Sequence, residues 1–447
     1  MKAKDTITVK IESFDMEGKG VAHADGYTFF VSDALPGEEM KVAIDRVKGS
    51  VVFAHIIKML APSPLRRDPE CPLFGKCGGC ALRHIPYSEQ IEIKRSNVRA
   101  LFHKNADIEI GEIPFFESAE DGYRNKIALP FGSDRGEAIL GMYRRATHKV
   151  LALDRCPLHG EWIEPLIRTV LAFVREEKLS VYDESSAKGL LRHLVARRLP
   201  VDRGYEYSVI LVANGTKIPH EDRLADRLSK AISGKVNVYL CKNTQHNNVI
   251  LTPELRTIRG DDHIRAELLG SVWEVSPLSF LQVNFPIAER IYEEVTAAIP
   301  NGAFVIDAYS GTGIMSALLA RRASKVVGIE VIRDATVNAE KNAISFGVED
   351  RVTHLCGKVE DILPDVVREG QDYSLVLDPP RAGLDPLVID TILDRPPERI
   401  LYVSCSPMTL TRDVARLKER YDIESVKLFD MFPNTPHVET LCLLRKK

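Results

Sequence analysis

The chain has 447 residues, 45% of them hydrophobic, and a formal net charge of −3 at pH 7. This length exceeds one ordinary hydrophobic core, so we expect two or three domains. No apolar run approaches the ~20 residues that cross a bilayer, and the N-terminal segment lacks the apolar core of a secretory signal. We therefore expect a cytoplasmic protein without a membrane partner, whose nucleic-acid contacts, if any, depend on local clusters of Lys and Arg.

The first sixty residues have the pattern of short strands separated by turn signals such as Asp25-Gly26 and Pro36-Gly37. Alternating apolar residues between such turns predict a small β-barrel. The proline-containing segment 61–70 cannot hold a regular strand ladder and is interpreted as a linker. A domain boundary is therefore predicted near Ala61.

Three of the eight cysteines crowd into ten residues, as Cys71, Cys77 and Cys80, around two glycines that permit sharp turns. Cys156, which precedes a proline as Cys71 does, is the best candidate for a fourth ligand. Four thiolates suit zinc and an iron–sulfur cluster equally well, and spacing does not decide between them. The remaining cysteines in strand-like contexts are interpreted as core residues: Cys241, Cys356 and Cys442.

The region from Cys71 to about Arg265 has a mixed pattern. A helix is predicted over residues 87–104, with strands over 126–131, 138–143, 190–199 and 207–214. Basic residues cluster at 124–126, 144–145 and 192–198. Three such clusters in one region favour a phosphate-binding surface over an ordinary solvated face.

From Leu278 onward, short apolar strands alternate regularly with helices, and a last pair of strands closes the chain. This alternation predicts a parallel sheet covered on both faces by helices. Sheets of this kind bind their ligands at the carboxyl ends of the strands. The residues that follow those strands are therefore the candidates for a functional site.

Two successive strands carry a nucleotide-like signature. Asp307 ends the first strand and runs into a turn containing Gly311 and Gly313, and Glu330 ends the second strand about 20 residues later. An acidic residue at this separation meets ribose hydroxyls in such folds. A dinucleotide is the less favoured ligand, because two glycines give little sign of a pyrophosphate cradle.

Three further residues have the positions of reacting groups. Asp378 follows a strand and enters a loop stiffened by two prolines, and Cys405 follows the next strand immediately before a helix, where a thiolate is favoured. Near the C-terminus, His437 and Glu439 are expected to share one face of the last strand and to offer a base. A buried core thiol and a salt-bridged glutamate are the plainer alternatives for Cys405 and Glu439.

Taken together, these segments resemble the RNA uracil-5-methyltransferase family, which acts on ribosomal and transfer RNA. The matching motifs occur in the family's order and are Phe280-Leu281-Gln282-Val283-Asn284, residues 307–313, Glu330, Asp378-Pro379-Pro380-Arg381, Ser404-Cys405-Ser406-Pro407 and His437-Val438-Glu439. Ser406 and Leu281 depart from the usual residues, and neither is a reacting group. The N-terminal barrel similarly resembles a TRAM domain, an oligonucleotide-binding type of barrel.

The resemblance implies a multidomain α/β protein. Its parts would be an OB-like TRAM β-barrel over residues 1–60, a central mixed α+β iron–sulfur domain over 61–82 and 115–265, and a Rossmann-like methyltransferase domain over 83–114 and 266–447. It also implies a role for each candidate residue: Cys405 as the nucleophile, Glu439 as the proton acceptor, Gln282, Tyr309, Glu330 and Asp378 as contacts of S-adenosyl-L-methionine, and Cys71, Cys77, Cys80 and Cys156 as ligands of a [4Fe–4S] cluster.

The function implied by the resemblance is methylation of C5 of a uridine in 23S ribosomal RNA through a covalent adduct of Cys405 with C6. No obligate protein partner is expected. A transfer RNA uracil-5-methyltransferase is the alternative within the family, which the four cysteines make less favoured. Two other classes stay open: a non-catalytic RNA-binding protein, and an exocyclic-amine methyltransferase that uses the Asp378 loop and needs no thiol.

Overall fold

The computed structural model describes residues 1–367 and 370–447. The chain forms two compact units. The first contains Met1–Ala100, Met142–Lys149 and Phe432–Val438, and the second contains Leu101–Gly141, Val150–Met431 and Glu439–Lys447. The three predicted domain ranges stay a prediction. Within the described part of the chain, no helix has both the length and the apolar character needed to cross a lipid bilayer.

The first unit is built on a six-stranded sheet in the order β1-β5-β6-β4-β3-β2. Its strands are β1 (Thr6–Lys10), β2 (Ser13–Phe14), β3 (Gly20–Ala24), β4 (Tyr27–Ser32), β5 (Glu39–Lys48) and β6 (Val51–Ala61). Alternate residues point inward, and apolar side chains such as Phe29, Met40 and Val52 form the core. Regular pairing ends at Ala61, because the prolines that follow lack a backbone donor.

A helix and a late segment of the chain complete the first unit. Helix α1 (Tyr87–Leu101) continues as a π-helical turn, Phe102–Ala106, which belongs to the second unit. The backbone oxygen of Asn434 accepts hydrogen bonds from the amides of Ala81 and Leu82, both at 3.0 Å. Gln90 also donates from Nε2 to Asn434 Oδ1, and its Oε1 accepts a hydrogen bond from the backbone amide of Asn434. These bonds explain why Phe432–Val438 belongs to this unit although it lies far away in sequence.

The second unit contains a seven-stranded sheet in the order β10-β9-β8-β11-β12-β13-β14. From β9 to β14 its pairs are antiparallel, except that β12 and β13 are parallel. After the short strand β7 (Phe115–Phe116) come β8 (Lys126–Asp134), β9 (Glu137–Tyr143), β10 (Val150–Ala152), β11 (Leu191–Val201), β12 (Gly204–Ala213), β13 (Lys235–Lys242) and β14 (Leu255–Arg259). Helices α2 (Ile163–Glu176) and α3 (Glu221–Ala231) each bury one apolar face.

The same unit contains an eight-stranded sheet in the order β19-β18-β17-β20-β21-β23-β22-β7. A ribbon of β15 (Ile264–Leu268) and β16 (Ser271–Val275) precedes it. The strands are β17 (Phe304–Ala308), β18 (Lys325–Glu330), β19 (Val352–Cys356), β20 (Ser374–Leu377), β21 (Arg399–Ser404), β22 (Tyr421–Phe429) and β23 (Glu439–Lys446). The helices are α4 (Phe285–Ala298), α5 (Ile314–Leu319), α6 (Arg333–Ser345), α7 (Val359–Val366), α8 (Pro386–Asp394) and α9 (Pro407–Leu417).

The pairing of this sheet confirms the predicted parallel α/β arrangement. Strands β19, β18, β17, β20 and β21 are parallel, and β23 joins β21 in the antiparallel sense. Nearly all residues of β20 and β21 are buried, as expected for strands covered on both faces. The carboxyl ends of four neighbouring strands therefore meet at one edge, the edge at which such sheets bind ligands.

Candidate active site

The predicted site residues follow the ends of adjacent strands. Tyr309 follows β17, Glu330 ends β18, Asp378 follows β20 and Cys405 follows β21. These four strands are neighbours in the order β18-β17-β20-β21. The structure therefore gathers Tyr309, Glu330, Asp378 and Cys405 along one sheet edge. Tyr309 has a φ of 67°, a strained conformation for a residue with a Cβ, which bends the chain sharply at the end of β17.

Glu330 holds the glycine turn that follows Tyr309. Its Oε2 accepts a hydrogen bond from the Gly311 amide at 2.9 Å, and its Oε1 accepts one from the Ile332 amide at 2.8 Å. A Cβ added at Gly311 would meet no described atom within 4 Å, so the turn has open space beside it. Val331 and Ile332 are more than half exposed next to this space. The arrangement can accept a ligand with hydroxyl groups and an apolar ring.

Two aspartates support the middle of this edge. Asp307 is buried, and its Oδ2 accepts a hydrogen bond from Ser316 Oγ at 2.5 Å. Burial raises the pKa of Asp307 to about 7. Asp378 keeps solvent-exposed surface, but the protein around it still desolvates the carboxylate and raises its pKa. Both carboxyl groups therefore ionise less readily than in water, and a cation bound beside them would favour their ionised forms.

The segment containing Gln282 is fixed by two asparagines. Asn125 Nδ2 donates to the backbone oxygen of Gln282 at 2.9 Å, and the backbone amide of Asn125 donates to the backbone oxygen of Val283 at 2.9 Å. Asn284, at the start of α4, donates from Nδ2 to Ser118 Oγ at 2.9 Å and to the backbone oxygen of Met431 at 3.4 Å. These bonds link the Gln282 segment to the chain that leads toward β23.

Cys405 and Glu439 meet because of strand register. Ser404 pairs with Thr440 across β21 and β23, so Cys405 follows at the position opposite Glu439. Arg381 lies close enough to Cys405 and to Glu439 to lower the pKa of both groups. The structure therefore brings together a thiol, two carboxyl groups and one guanidinium, with Asp378 as the second carboxyl group.

The titration of this group differs from the prediction for Cys405. Burial, with Glu439 and Asp378 nearby, raises the pKa of the Cys405 thiol, although Arg381 partly opposes the shift. The prediction of a favoured thiolate is wrong, because burial and the two nearby carboxyl groups favour the neutral thiol. Glu439 is 4% exposed, and burial raises its pKa to about 8.

The expectation that His437 and Glu439 share one strand face is also wrong. β23 begins at Glu439, so His437 lies before the strand. The Thr435 hydroxyl donates to the Phe432 oxygen at 2.7 Å and accepts the His437 amide at 3.3 Å. These bonds hold a turn in place of extended chain, and the His437 ring packs edge-on against Phe432.

Comparison with known proteins assigns the family. The TRAM domain family matches residues 4–57, and the tRNA (uracil-5-)-methyltransferase family matches residues 225–447. A Clostridium tetani protein described as an uncharacterized RNA methyltransferase is 34% identical over 450 residues, which are 99% of this chain and 97% of that protein. The chain belongs to the tRNA (uracil-5-)-methyltransferase family.

Two further proteins show the extent of the likeness for this methyltransferase. A Halalkalibacterium halodurans protein, also described as an uncharacterized RNA methyltransferase, is 34% identical over 449 residues, with 99% of this chain and 97% of that protein covered. The crystal structure of the Pyrococcus abyssi tRNA (uracil-54, C5)-methyltransferase in complex with S-adenosyl-L-homocysteine covers 98% of this chain and all of that one. The two share 26% identity and a TM-score of 0.78, which supports the predicted multidomain α/β fold with its N-terminal TRAM domain.

The four predicted cluster ligands of the methyltransferase belong to different units. Cys71, Cys77 and Cys80 lie in the first unit, and Cys156 lies in the second. The Gly79 amide donates a hydrogen bond to Cys77 Sγ at 3.3 Å, and Cys71 lies close enough to raise the pKa of the Cys77 thiol further. In residues 1–367 and 370–447, no three His, Cys, Asp or Glu side chains are arranged to hold a metal ion. Thiols suit an iron–sulfur cluster in their chemistry, and the ligand set of Cys71, Cys77, Cys80 and Cys156 stays a prediction.

The predicted basic surface of the methyltransferase is only partly available to a ligand. Arg145 pairs with Asp33 at 2.9 Å within the first unit. Arg192 is buried and donates to the backbone oxygens of Asn243 and Gln245. These two arginines therefore have structural partners, because a buried guanidinium must satisfy its donors internally.

Sequence reasoning overlooked two supporting residues of the site. Arg381 directly follows the double proline that stiffens the loop after Asp378, and this position beside a candidate carboxylate is a signal that the sequence contains. Asn125 gave no such signal, because its role depends on contact with a segment more than 150 residues later in the chain.

Proposed function

We propose that this protein methylates C5 of a uridine in 23S ribosomal RNA, with S-adenosyl-L-methionine as the methyl donor. The observation that carries the proposal is the group formed by Cys405, Arg381, Glu439 and Asp378 at one sheet edge. A nucleophile beside a base and a cation is what covalent catalysis on a uracil ring requires. The Pyrococcus abyssi enzyme, which acts on C5 of uracil in transfer RNA, supports the same reaction class.

The first step is addition of Cys405 to the ring. C5 of uracil is a weak nucleophile, but a bond from Sγ to C6 pushes the C5–C6 electron pair toward C5 and O4. Arg381 favours the thiolate, because its guanidinium lowers the pKa of the thiol against the effect of burial. The enolate-like C5 would then attack the methyl group that S-adenosyl-L-methionine supplies. The bond between that methyl carbon and the sulfonium would break, and its electron pair would stay on the sulfur of the departing thioether.

The second step removes the C5 proton. Glu439 lies on the strand beside Cys405 and is the candidate acceptor. A carboxylate whose pKa is raised to about 8 by burial is a stronger base than an exposed one, so it holds the abstracted proton well. Loss of this proton returns electrons to the ring, re-forms the C5–C6 double bond and breaks the bond between Sγ and C6.

The residues proposed to hold the cofactor are Gln282, Tyr309, Glu330 and Asp378. Glu330 has lone pairs left for ribose hydroxyls while its oxygens hold the glycine turn. The open space beside Gly311 and the exposed Val331 and Ile332 fit a nucleoside. Burial raises the pKa of Asp307 and Asp378, and a sulfonium cation bound beside them would oppose this shift and favour the carboxylates.

The choice of ribosomal RNA depends on the four cysteines, which resemble those of the cluster-bearing ribosomal branch. Cys71, Cys77, Cys80 and Cys156 would hold the [4Fe–4S] cluster, because thiolates are the ligands that such clusters take. Transfer RNA is the second candidate substrate, favoured by the Pyrococcus abyssi enzyme, whose substrate is transfer RNA.

The test uses 23S ribosomal RNA and transfer RNA transcripts that contain 5-fluorouracil in place of uracil, incubated with protein and cofactor. Fluorine cannot leave C5 as a proton does, so the adduct should persist as a denaturant-stable protein–RNA species. Wild type and the control Cys241→Ser should form it with 23S RNA, and Cys405→Ala should not. Absence of the species with both RNAs contradicts the reaction, and a species with transfer RNA alone contradicts the ribosomal substrate.

A further inference from the structure

Two basic residues face each other across the central sheet of the second unit. In the antiparallel pairing of β8 with β11, Lys126 is the register partner of Arg197. Directly opposite residues of an antiparallel pair project from the same face, and like charges in this arrangement destabilise the sheet. The pair therefore needs an explanation beyond folding.

The charges of this pair lack an anionic partner in the part of the chain that the structure describes. Arg197 is only 3% exposed, its Nη2 donates to the Ser279 oxygen at 2.5 Å, and its Nη1 has no hydrogen-bond partner there. Lys126 is half-buried, and no carboxylate contributes to the pKa of either residue, both of which burial lowers. A buried cation without a counter-ion is costly, so an external anion would stabilise this arrangement.

The pair lies beside the segment that leads to Gln282. Arg197 bonds to Ser279, and the next residue, Phe280, is 73% exposed. Asn125, adjacent to Lys126, binds the Gln282 oxygen at 2.9 Å. An anion held by Lys126 and Arg197 would therefore lie beside the segment that carries Gln282, a proposed cofactor contact, and close to the exposed Phe280.

We propose that Lys126 and Arg197 together bind one phosphodiester group of the RNA, next to the uridine whose base enters the Cys405 site. Phosphate oxygens accept charge-assisted hydrogen bonds from both an ammonium and a guanidinium group. Such a contact fixes the position of the nucleotide but does not read its sequence. The identity of the neighbouring uridine rests on the proposed function, whereas the phosphate site itself does not.

The test measures binding of fluorescein-labelled 2′-O-methyl decauridylate by anisotropy over a potassium chloride series. Lys126→Gln should weaken binding at least about fivefold and reduce the slope of log affinity against log salt by about one, because one phosphate contact is lost. The control is Lys242→Gln, in the same sheet but paired with Glu254, and it should bind as wild type does. An unchanged affinity and slope in Lys126→Gln, or no binding by wild type at low salt, overturns the proposal.

A second oligomer separates a phosphate contact from a structural role. Methylphosphonate linkages carry no charge, so wild type and Lys126→Gln should bind that oligomer with equal affinity. If Lys126→Gln loses as much affinity for the uncharged oligomer as for the charged one, the phosphate site is overturned. Lys126→Gln should not lower the melting temperature, because it removes one of two like charges that face each other. A lowered melting temperature with an unchanged salt slope contradicts the proposal. Neither readout requires methyl transfer, so failure of the 5-fluorouracil adduct in wild type would reject only the proposed reaction.

Discussion

Cys405 and Glu439 come together through the antiparallel register of β21 and β23, in which Ser404 pairs with Thr440. The two residues are 34 positions apart in sequence, and a shift of one residue in this register would turn Glu439 to the opposite face of the sheet. Because both strands are almost fully buried, that register is strongly specified. The fold therefore fixes the placement of the thiol and the carboxyl group relative to each other.

Glu439→Gln should separate formation of the covalent adduct from its resolution. Glutamine keeps the size of the side chain but cannot accept the C5 proton, so we expect turnover to fall about 10²- to 10⁴-fold. With ordinary uridine-containing RNA, this variant should accumulate a denaturant-stable protein–RNA species that wild type resolves. Gel electrophoresis under denaturing conditions measures it, and a variant that turns over at the wild-type rate would show that another group accepts the proton.

Activity should rise with pH between about 6.5 and 9. Glu439 must be ionised to act as a base and its pKa is raised to about 8, and the Cys405 thiol, whose pKa is also raised, must lose its proton to attack. Ionisation of Glu439 and ionisation of the Cys405 thiol both increase with pH, so both increase activity. The pH dependence of kcat/KM for the RNA, with saturating cofactor, measures this rise in activity. A kcat/KM that falls over this pH range contradicts the prediction.

Arg381→Gln should move this rise in activity to higher pH, because the guanidinium lowers the pKa of both the Cys405 thiol and the Glu439 carboxyl group. The matched control is Arg416→Gln, which removes an exposed arginine of α9 that pairs with Asp390 of α8. The control should leave the pH profile where it is in wild type. An equal shift in the two variants would mean that the effect comes from net charge alone.

Two glycines of the turn after β17 should differ in their tolerance of alanine. Gly311 has a φ of 55°, and an added Cβ would meet no described atom within 4 Å, so Gly311→Ala should cost about 1–2 kcal/mol of stability from backbone strain alone. At Gly313, with a φ of 76°, a Cβ would lie 2.6 Å from the Cβ of Ala339, so Gly313→Ala should cost about 1–3 kcal/mol more. Urea denaturation measures both, and equal midpoints would contradict the difference.

Anaerobically purified protein should show broad visible absorbance and about four iron atoms per chain if the four cysteines bind the proposed cluster. Cys77→Ser should lose both signals, whereas Cys241→Ser should keep them, because Cys241 is buried with Thr252 as its partner. Metal analysis of the same samples detects zinc. A colourless wild-type protein loaded with zinc would contradict the iron–sulfur assignment.

The predictions for Cys405 and for Arg192 differ from the structure for one physical reason. The sequence places Cys405 before a helix, but the effect of burial and of two nearby carboxyl groups on its pKa depends on residues from β20 and β23. Similarly, Arg192 belongs to a basic run in sequence but is buried against the segment around Asn243. Desolvation and partner contacts arise from the packing of distant segments, which a local pattern does not contain.

The sequence by itself determined the barrel, the alternation of strands and helices, and the strand ends that carry Tyr309, Glu330, Asp378 and Cys405, because periodicity and turn residues are local properties. Only the tertiary structure decided that Arg381 contacts Cys405, that Asn125 fixes the Gln282 segment, and that Lys126 faces Arg197. These relations depend on strand order and register, which are set by burial summed over the whole sheet and by no single segment.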